Sequence, residues 1–151
     1  MRDSRNLNLA IVFTQKKRDA LARQWQGLRQ DADFAQEQLK LLASYAMETQ
    51  SRWELRSRHT TSQMLMQHNY QFLEKLESAM TMQKDVAADK DLQCTNKRLL
   101  WTQAEQRVQI LQRYQQLCLE KHQAKVLKMA QKQTDEFAIQ WGRIKKSKGS
   151  T

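Results

Sequence analysis

Between Leu21 and Trp53 the apolar or small residues fall at Leu21, Trp25, Leu28, Ala32, Ala35, Leu39, Leu42, Ala46 and Trp53, alternating by four and three with only Thr49 interrupting. This is a heptad seam. A straight helix drifts by about 20° per heptad against such a repeat, so the stripe stays covered only if two helices wind around one another left-handedly. The chain is thereby committed to helices, and the seam needs a second helix to cover it. Extended backward, the same frame passes through Leu7 and Ile11 and then meets the polar Thr14 and Arg18.

Composition agrees with this. With no proline and only Gly27, Gly142 and Gly149, the chain lacks the punctuation that strands and tight turns require, while it is rich in residues that a solvated helix tolerates. Aromatic residues make up 7% and come as stripes rather than clusters, which argues against a thick globular core. The fold class expected is all-α, a long antiparallel two-helix coiled-coil hairpin forming a single domain over 1–151. Ser4, preceded by Asp3, is the expected N-cap of a first helix over about 5–57. The densest cluster of Ser and Thr marks a turn over about 58–64, and Thr60 with Gln63 fits a capping box opening a second helix over about 65–146.

The second helix offers a frame through Asn69, Phe72, Leu76, Ala79, Gln83, Val86, Leu100, Ala104, Leu111 and Tyr114. Paired antiparallel, the frames place Leu7 against Tyr114, Ile11 against Leu111, Leu21 against Leu100, Ala35 against Val86, Leu42 against Ala79 and Thr49 against Phe72. The centre of that pairing falls at Thr60-Thr61, inside the Ser/Thr cluster. Gln83, Lys90, Gln93, Lys97 and Arg107 then point inward, which predicts loose packing and leaves room for a break near 88–96. Near the turn, Leu41, Tyr45, Leu73 and Met80 exceed what two helices can bury.

Beyond the reach of the first helix, the last thirty or so residues project by about 45 Å. Leu119, Val126, Ala130, Phe137, Trp141 and Ile144 make their apolar stripe, with Lys121, Lys125, Lys128 and Lys132 around it. A lone stripe of this kind marks a binding surface. The net charge of +10 is also uneven: residues 1–29 carry +5, residues 30–120 carry −1, and residues 121–151 carry +6.

No catalytic constellation emerges, and neither enzymatic activity nor a cofactor is expected. Scattered glycines cannot cradle a phosphate, and Glu74 and Glu77 sit on a solvated face. Cys118 and His122 stand one turn apart without a second pair at ligand spacing, so no metal is expected. Cys94 and Cys118, on one helix about 36 Å apart, cannot bridge within a chain, and reduced thiols are the default. Arg2 and Arg5 before the run Leu7 to Phe13 have the outline of a signal peptide, but the run is too short and lacks a cleavage site. No stretch approaches a membrane span. Two classes of binding module remain. One is a basic helical nucleic-acid-binding or self-associating structural protein, although neither a compact recognition fold nor a basic region running into a parallel zipper is present. The other is a coiled-coil adaptor that offers basic ends to an acidic protein and an apolar patch near the turn to another; the pattern favours this one.

Three stretches carry a resemblance. Gln36-Glu37-Gln38-Leu39-Lys40-Leu41-Leu42 followed by Tyr45, then Asn69-Tyr70-Gln71-Phe72-Leu73-Glu74-Lys75-Leu76-Glu77, then Gln131-Lys132-Gln133-Thr134-Asp135-Glu136-Phe137-Ala138 resemble the FliJ-type flagellar export proteins in order and spacing. The resemblance implies a non-enzymatic cytoplasmic component of the flagellar type III export apparatus, similar in fold to the central stalk of rotary ATPases and peripherally associated with the inner membrane. It implies as partners the export ATPase, whose ring assembly it would promote, the cytoplasmic linker of the export gate membrane protein, and substrate-specific chaperones. Nucleic acid is not among them, and self-association would be weak. Gate contact carries over to Gln38, Leu42, Tyr45, Phe72, Leu76 and Ala79, with Thr49 and Gln83 standing where larger ring-bearing residues occur. ATPase contact is expected at the basic ends, at Leu7, Ile11, Lys16, Lys17, Arg18, Lys125, Lys132, Phe137 and Trp141. One tension follows: Leu42, Leu76 and Ala79 are placed in the seam, whereas a gate face must be accessible.

Overall fold

The computed structural model describes residues 2–59 and 62–149. They form two helices, α1 over Arg2–Ser57 and α2 over Gln63–Lys148, which pack against one another as a two-helix hairpin, with no strand among the described residues. The expected turn centre, Thr60-Thr61, and the Thr60 cap lie outside the described residues. Beside them, Ser62 stands at the N-cap position of α2, where its carbonyl accepts the Met66 N–H at 3.2 Å. Ser4 is not the first cap, because α1 already begins at Arg2 and Ser4 sits inside its first turn. Asp3 in that turn, and Lys145, Lys146 and Lys148 in the last turn of α2, complement the helix dipoles. α2 runs unbroken through 88–96, so the polar seam residues there are accommodated without a kink.

The chain divides into two compact units, Gln15–Glu105, and Met1–Thr14 with Gln106–Thr151. In the unit Gln15–Glu105 the α1 seam is the one its periodicity predicts: Ala32 and Ala35 are buried, and Leu21, Trp25, Leu28, Leu39, Leu42, Ala46, Thr49 and Trp53 are half-buried. The α2 seam differs. Its inward residues are Asn69, Leu73, Leu76, Met80, Gln83, Ala87, Lys90, Cys94, Lys97, Trp101 and Ala104, an unbroken four-three alternation. Every second position thus falls one residue later than expected. Phe72, Val86 and Leu100, assigned to the interior on sequence, are exposed, while Leu73, Ala87 and Trp101 take their places. The reason is local. Trp101 stacks on Trp25 with ring centroids 5.4 Å apart and planes at 29°, and Ala87, only 2% exposed, fits beside the small Ala32 and Ala35 where Val86 would hold the helices apart. Gln83 sits inside this narrow stretch and donates its amide to the Ala35 carbonyl at 3.0 Å. Removing the Trp25 ring by Trp25→Ala should cost about 2–3 kcal/mol of stability, through lost burial and stacking, read as a lower midpoint in urea denaturation.

In the unit of Met1–Thr14 and Gln106–Thr151, Ile11 and Val108 are buried, with Leu7, Thr14, Leu111 and Gln115 half-buried around them. Gln115 donates its side-chain amide to the Asn8 side-chain oxygen. Tyr114, expected in the seam, points outward instead; its hydrogen bond to Cys118 raises the phenol above its ordinary pKa. Val108 carries the packing that the frame through Arg107 would have denied.

Candidate functional site

The one-residue shift in α2 creates a surface. Phe72, Ala79 and Val86, seven apart, line up beside the seam rather than in it, and on α1 Gln38 and Tyr45, and Phe34 and Leu41, are also spaced by seven along one flank. Tyr45 and Phe72 join the two helices there, ring edge to ring face, with centroids 6.2 Å apart and planes at 81°. Both rings stay accessible, Tyr45 at 51% and Phe72 at 39%, beside exposed Phe34, Leu41 and Val86. Of the six residues expected on the gate stripe, Tyr45 and Phe72 lie at the surface, Gln38, Leu42 and Ala79 are half-buried, and Leu76 is buried. Leu42 and Leu76 thus pack in the seam, while Tyr45 and Phe72 are accessible beside it.

Both polar residues at the ends of this stripe turn back onto the hairpin. The Thr49 hydroxyl donates to the Tyr45 carbonyl at 2.8 Å, and the Gln83 amide is held by Ala35. The apolar face therefore continues along the exposed Phe34, Leu41 and Val86. Phe34 was missed on sequence because it lies outside the α1 seam; its spacing of seven from Leu41 is the signal that could have found it. A face of this kind, two helices wide and apolar on one flank, fits an amphipathic helix laid along the groove.

The residues expected to contact the ATPase divide by depth as well. In the unit Gln15–Glu105, Lys16 and Lys17 are exposed, whereas Arg18 is half-buried and held by its own hairpin. Its guanidinium meets Asp19 at 3.1 Å and Glu105 at 3.2 Å, and the hydrogen bond to Asp19, then the charges of both acids, raise its pKa against the opposing effect of desolvation. A partly exposed pair of this kind contributes about 1 kcal/mol at most. In the unit of Met1–Thr14 and Gln106–Thr151, Ile11 is buried at 6% and Leu7 is half-buried, so both act in packing. Residues 116–149 are exposed throughout, including Lys125 and Lys132, with Phe137 at 68% and Trp141 at 58%. This segment is an amphipathic helix whose apolar stripe is left uncovered by the described residues.

Among the described residues no group of His, Cys, Asp or Glu is placed to hold a metal ion, and no helix is long and apolar enough to cross a membrane. Cys94 and Cys118 are free thiols, Cys94 half-buried in the seam and Cys118 exposed. What the arrangement offers chemically is two kinds of surface, an apolar flank and a basic amphipathic segment. Compared with known families, the chain matches the model described as Flagellar FliJ protein over residues 4–146. No curated protein and no solved structure gives a significant match.

Proposed function

Since the chain belongs to the flagellar FliJ family, a family of flagellar export proteins, we propose that it is a non-enzymatic adaptor of the type III export apparatus, joining the export ATPase to the export gate. The observation that carries this reading is the family match over 4–146; the exposed Tyr45–Phe72 flank and the exposed basic segment support it. The C-terminal segment, with Lys125, Lys132, Phe137 and Trp141 exposed, is the part offered to the ATPase ring, in the manner of a rotary stalk; the exposed Lys16 and Lys17 of the other unit offer a cationic contact of their own. Leu7, Ile11 and Arg18 serve instead in pairing α1 with α2. The flank of Gln38, Tyr45, Phe72 and Ala79, backed by Leu42 and Leu76, receives the cytoplasmic linker of the gate. Substrate chaperones are escorted by the same molecule, which acts in the cytoplasm at the inner face of the flagellar base.

The test is hydrolysis by the purified export ATPase with the full chain and with a version ending at Leu119. Residues 120–149 are solvent-exposed, so the truncation leaves the helix pairing intact. The full chain is expected to raise turnover and the truncated one to lose most of that effect. Equal stimulation by both would sink the stalk reading of the C-terminal segment.

A further inference from the structure

The flank of Tyr45 and Phe72 carries a charge that the other side of the seam lacks. Its rows repeat every seven residues, so the positions that continue them are fixed: Asp31 lies seven before Gln38, and Glu48 seven after Leu41. On α2, Lys75, Met82 and Asp89 are seven apart and follow Phe72, Ala79 and Val86 at a distance of three. The four rows thus hold three acids, Asp31, Glu48 and Asp89, against the single base Lys75. Glu37 and Asp85, on the outermost rows beside them, add two more acids, and all six charged side chains are exposed. The four rows across the seam hold Asp33, Glu74 and Glu77 against Arg29, Lys40 and Lys84, and balance. Among the described residues none of the five acids of the flank takes part in an ion pair, and only Asp89 accepts a side-chain hydrogen bond, from the Gln93 amide at 3.1 Å.

Such a border chooses among the helices that could fit the apolar groove. From Asp31 to Glu48 the α1 side runs about 26 Å, the length of two to three heptads of a third helix. A helix laid there buries its own stripe on Phe34, Leu41, Tyr45 and Phe72, and carries the residues at the two edges of that stripe over the carboxylates of both arms. Lysine or arginine at those edges meets opposite charge. Glutamate or aspartate there is repelled from both sides, as is a phosphate-bearing surface. A second copy docked flank to flank would set two acid borders against each other.

We propose that this flank receives a partner helix whose apolar stripe is edged by lysine or arginine. The surface is the one given above to the gate linker, but the charge rule is a property of the flank and does not rest on that partner. The probe is therefore synthetic, and a gate linker that failed to bind would strike the gate reading alone.

The experiment is fluorescence anisotropy of a labelled peptide of about three heptads, with leucine at a and d and lysine at e and g, titrated with the full chain at about 0.1 M salt. Like charges at its edges keep the peptide from pairing with itself. Binding is expected to weaken by about tenfold or more in Asp31→Lys with Asp89→Lys, and by as much in Tyr45→Ala with Phe72→Ala. It should stay within about twofold in Glu74→Lys with Glu77→Lys, which changes the net charge equally on the other side of the seam. Circular dichroism checks that helix content is the same in every variant. A peptide with glutamate at e and g is the control: whatever it binds elsewhere on this basic chain should be unaffected by the loss of Tyr45 and Phe72. No binding of the lysine-edged peptide, equal losses in the two charge variants, or a glutamate-edged peptide that depends on Tyr45 and Phe72 to the same degree would overturn the proposal. Dimerisation of the chain that Asp31→Lys with Asp89→Lys abolishes would give the flank to a second copy and overturn it as well.

Discussion

Val108→Asp is expected to destabilise the pairing of α1 with α2 around Ile11 by about 3–5 kcal/mol, because it places an unpaired carboxylate where no water reaches. Val108 is the one fully enclosed large side chain among the described residues, at 0% exposure, and no buried polar group lies near to receive the new charge. Val108→Ala separates burial from charge, since it removes two methyl groups and should cost about 2 kcal/mol. Urea denaturation followed by far-ultraviolet circular dichroism reads both. A pair of helices this long can open locally, so the aspartate variant should show an early transition of partial amplitude rather than a uniform shift. Equal curves for the two variants would mean that position 108 is wet.

The second large effect concerns the apolar flank. Tyr45→Ala with Phe72→Ala is expected to weaken binding of the isolated gate linker by about thirtyfold, near 2 kcal/mol, as aromatic anchors at the centre of a small interface do. The helix pair itself should lose only about 1 kcal/mol, the worth of an edge-on aromatic contact. Isothermal titration gives the first quantity and thermal melting the second. Leu76→Ala serves as a contrast, because Leu76 is 8% exposed, so its removal should lower the melting point more and the affinity less. If Leu76→Ala cost the most affinity while the aromatic pair cost little, the flank would not be the binding face.

How far the sequence led can be seen by comparing the two helices. Along α1 the four-three alternation from Leu21 to Trp53 is interrupted only at Thr49, even though Phe34, Leu41 and Tyr45 adjoin it, so the seam was legible and the hairpin with it. Along α2, apolar residues stand side by side at Phe72 and Leu73, Ala79 and Met80, Val86 and Ala87, and Leu100 and Trp101. Continuity of pattern could start from either member of each couple. Preference for the bulkier or branched residue misled at Val86, because in this stretch the buried residues are the small Ala32, Ala35 and Ala87. The decisive couples were Gln93 with Cys94 and Arg107 with Val108, where only one member is apolar. A frame chosen to satisfy those two would have put Ala87 and Trp101 inside and Phe72 on the flank. The flank itself could not be read before that correction, since a residue assigned to the seam is not also assigned to a surface. The exposed basic segment was legible from charge and periodicity, because nothing packs against it to override them.

One contact has a bearing on the flank that its modest strength hides. A heptad seam repeats, so sliding one helix by seven residues offers almost the same set of knobs and holes, and a uniform seam would have several stops of similar depth. Here the teeth are unequal. Sliding α2 by one repeat would replace Trp101 against Trp25 with Cys94 or Val108, and would put Leu76 or Lys90 where Gln83 reaches the Ala35 carbonyl. Leu76 could not make the bond, Lys90 could do so only as a charged ammonium, and neither Cys94 nor Val108 would stack. The hairpin is keyed to a single stop, and only at that stop do Tyr45 and Phe72, from opposite arms of the chain, stand side by side.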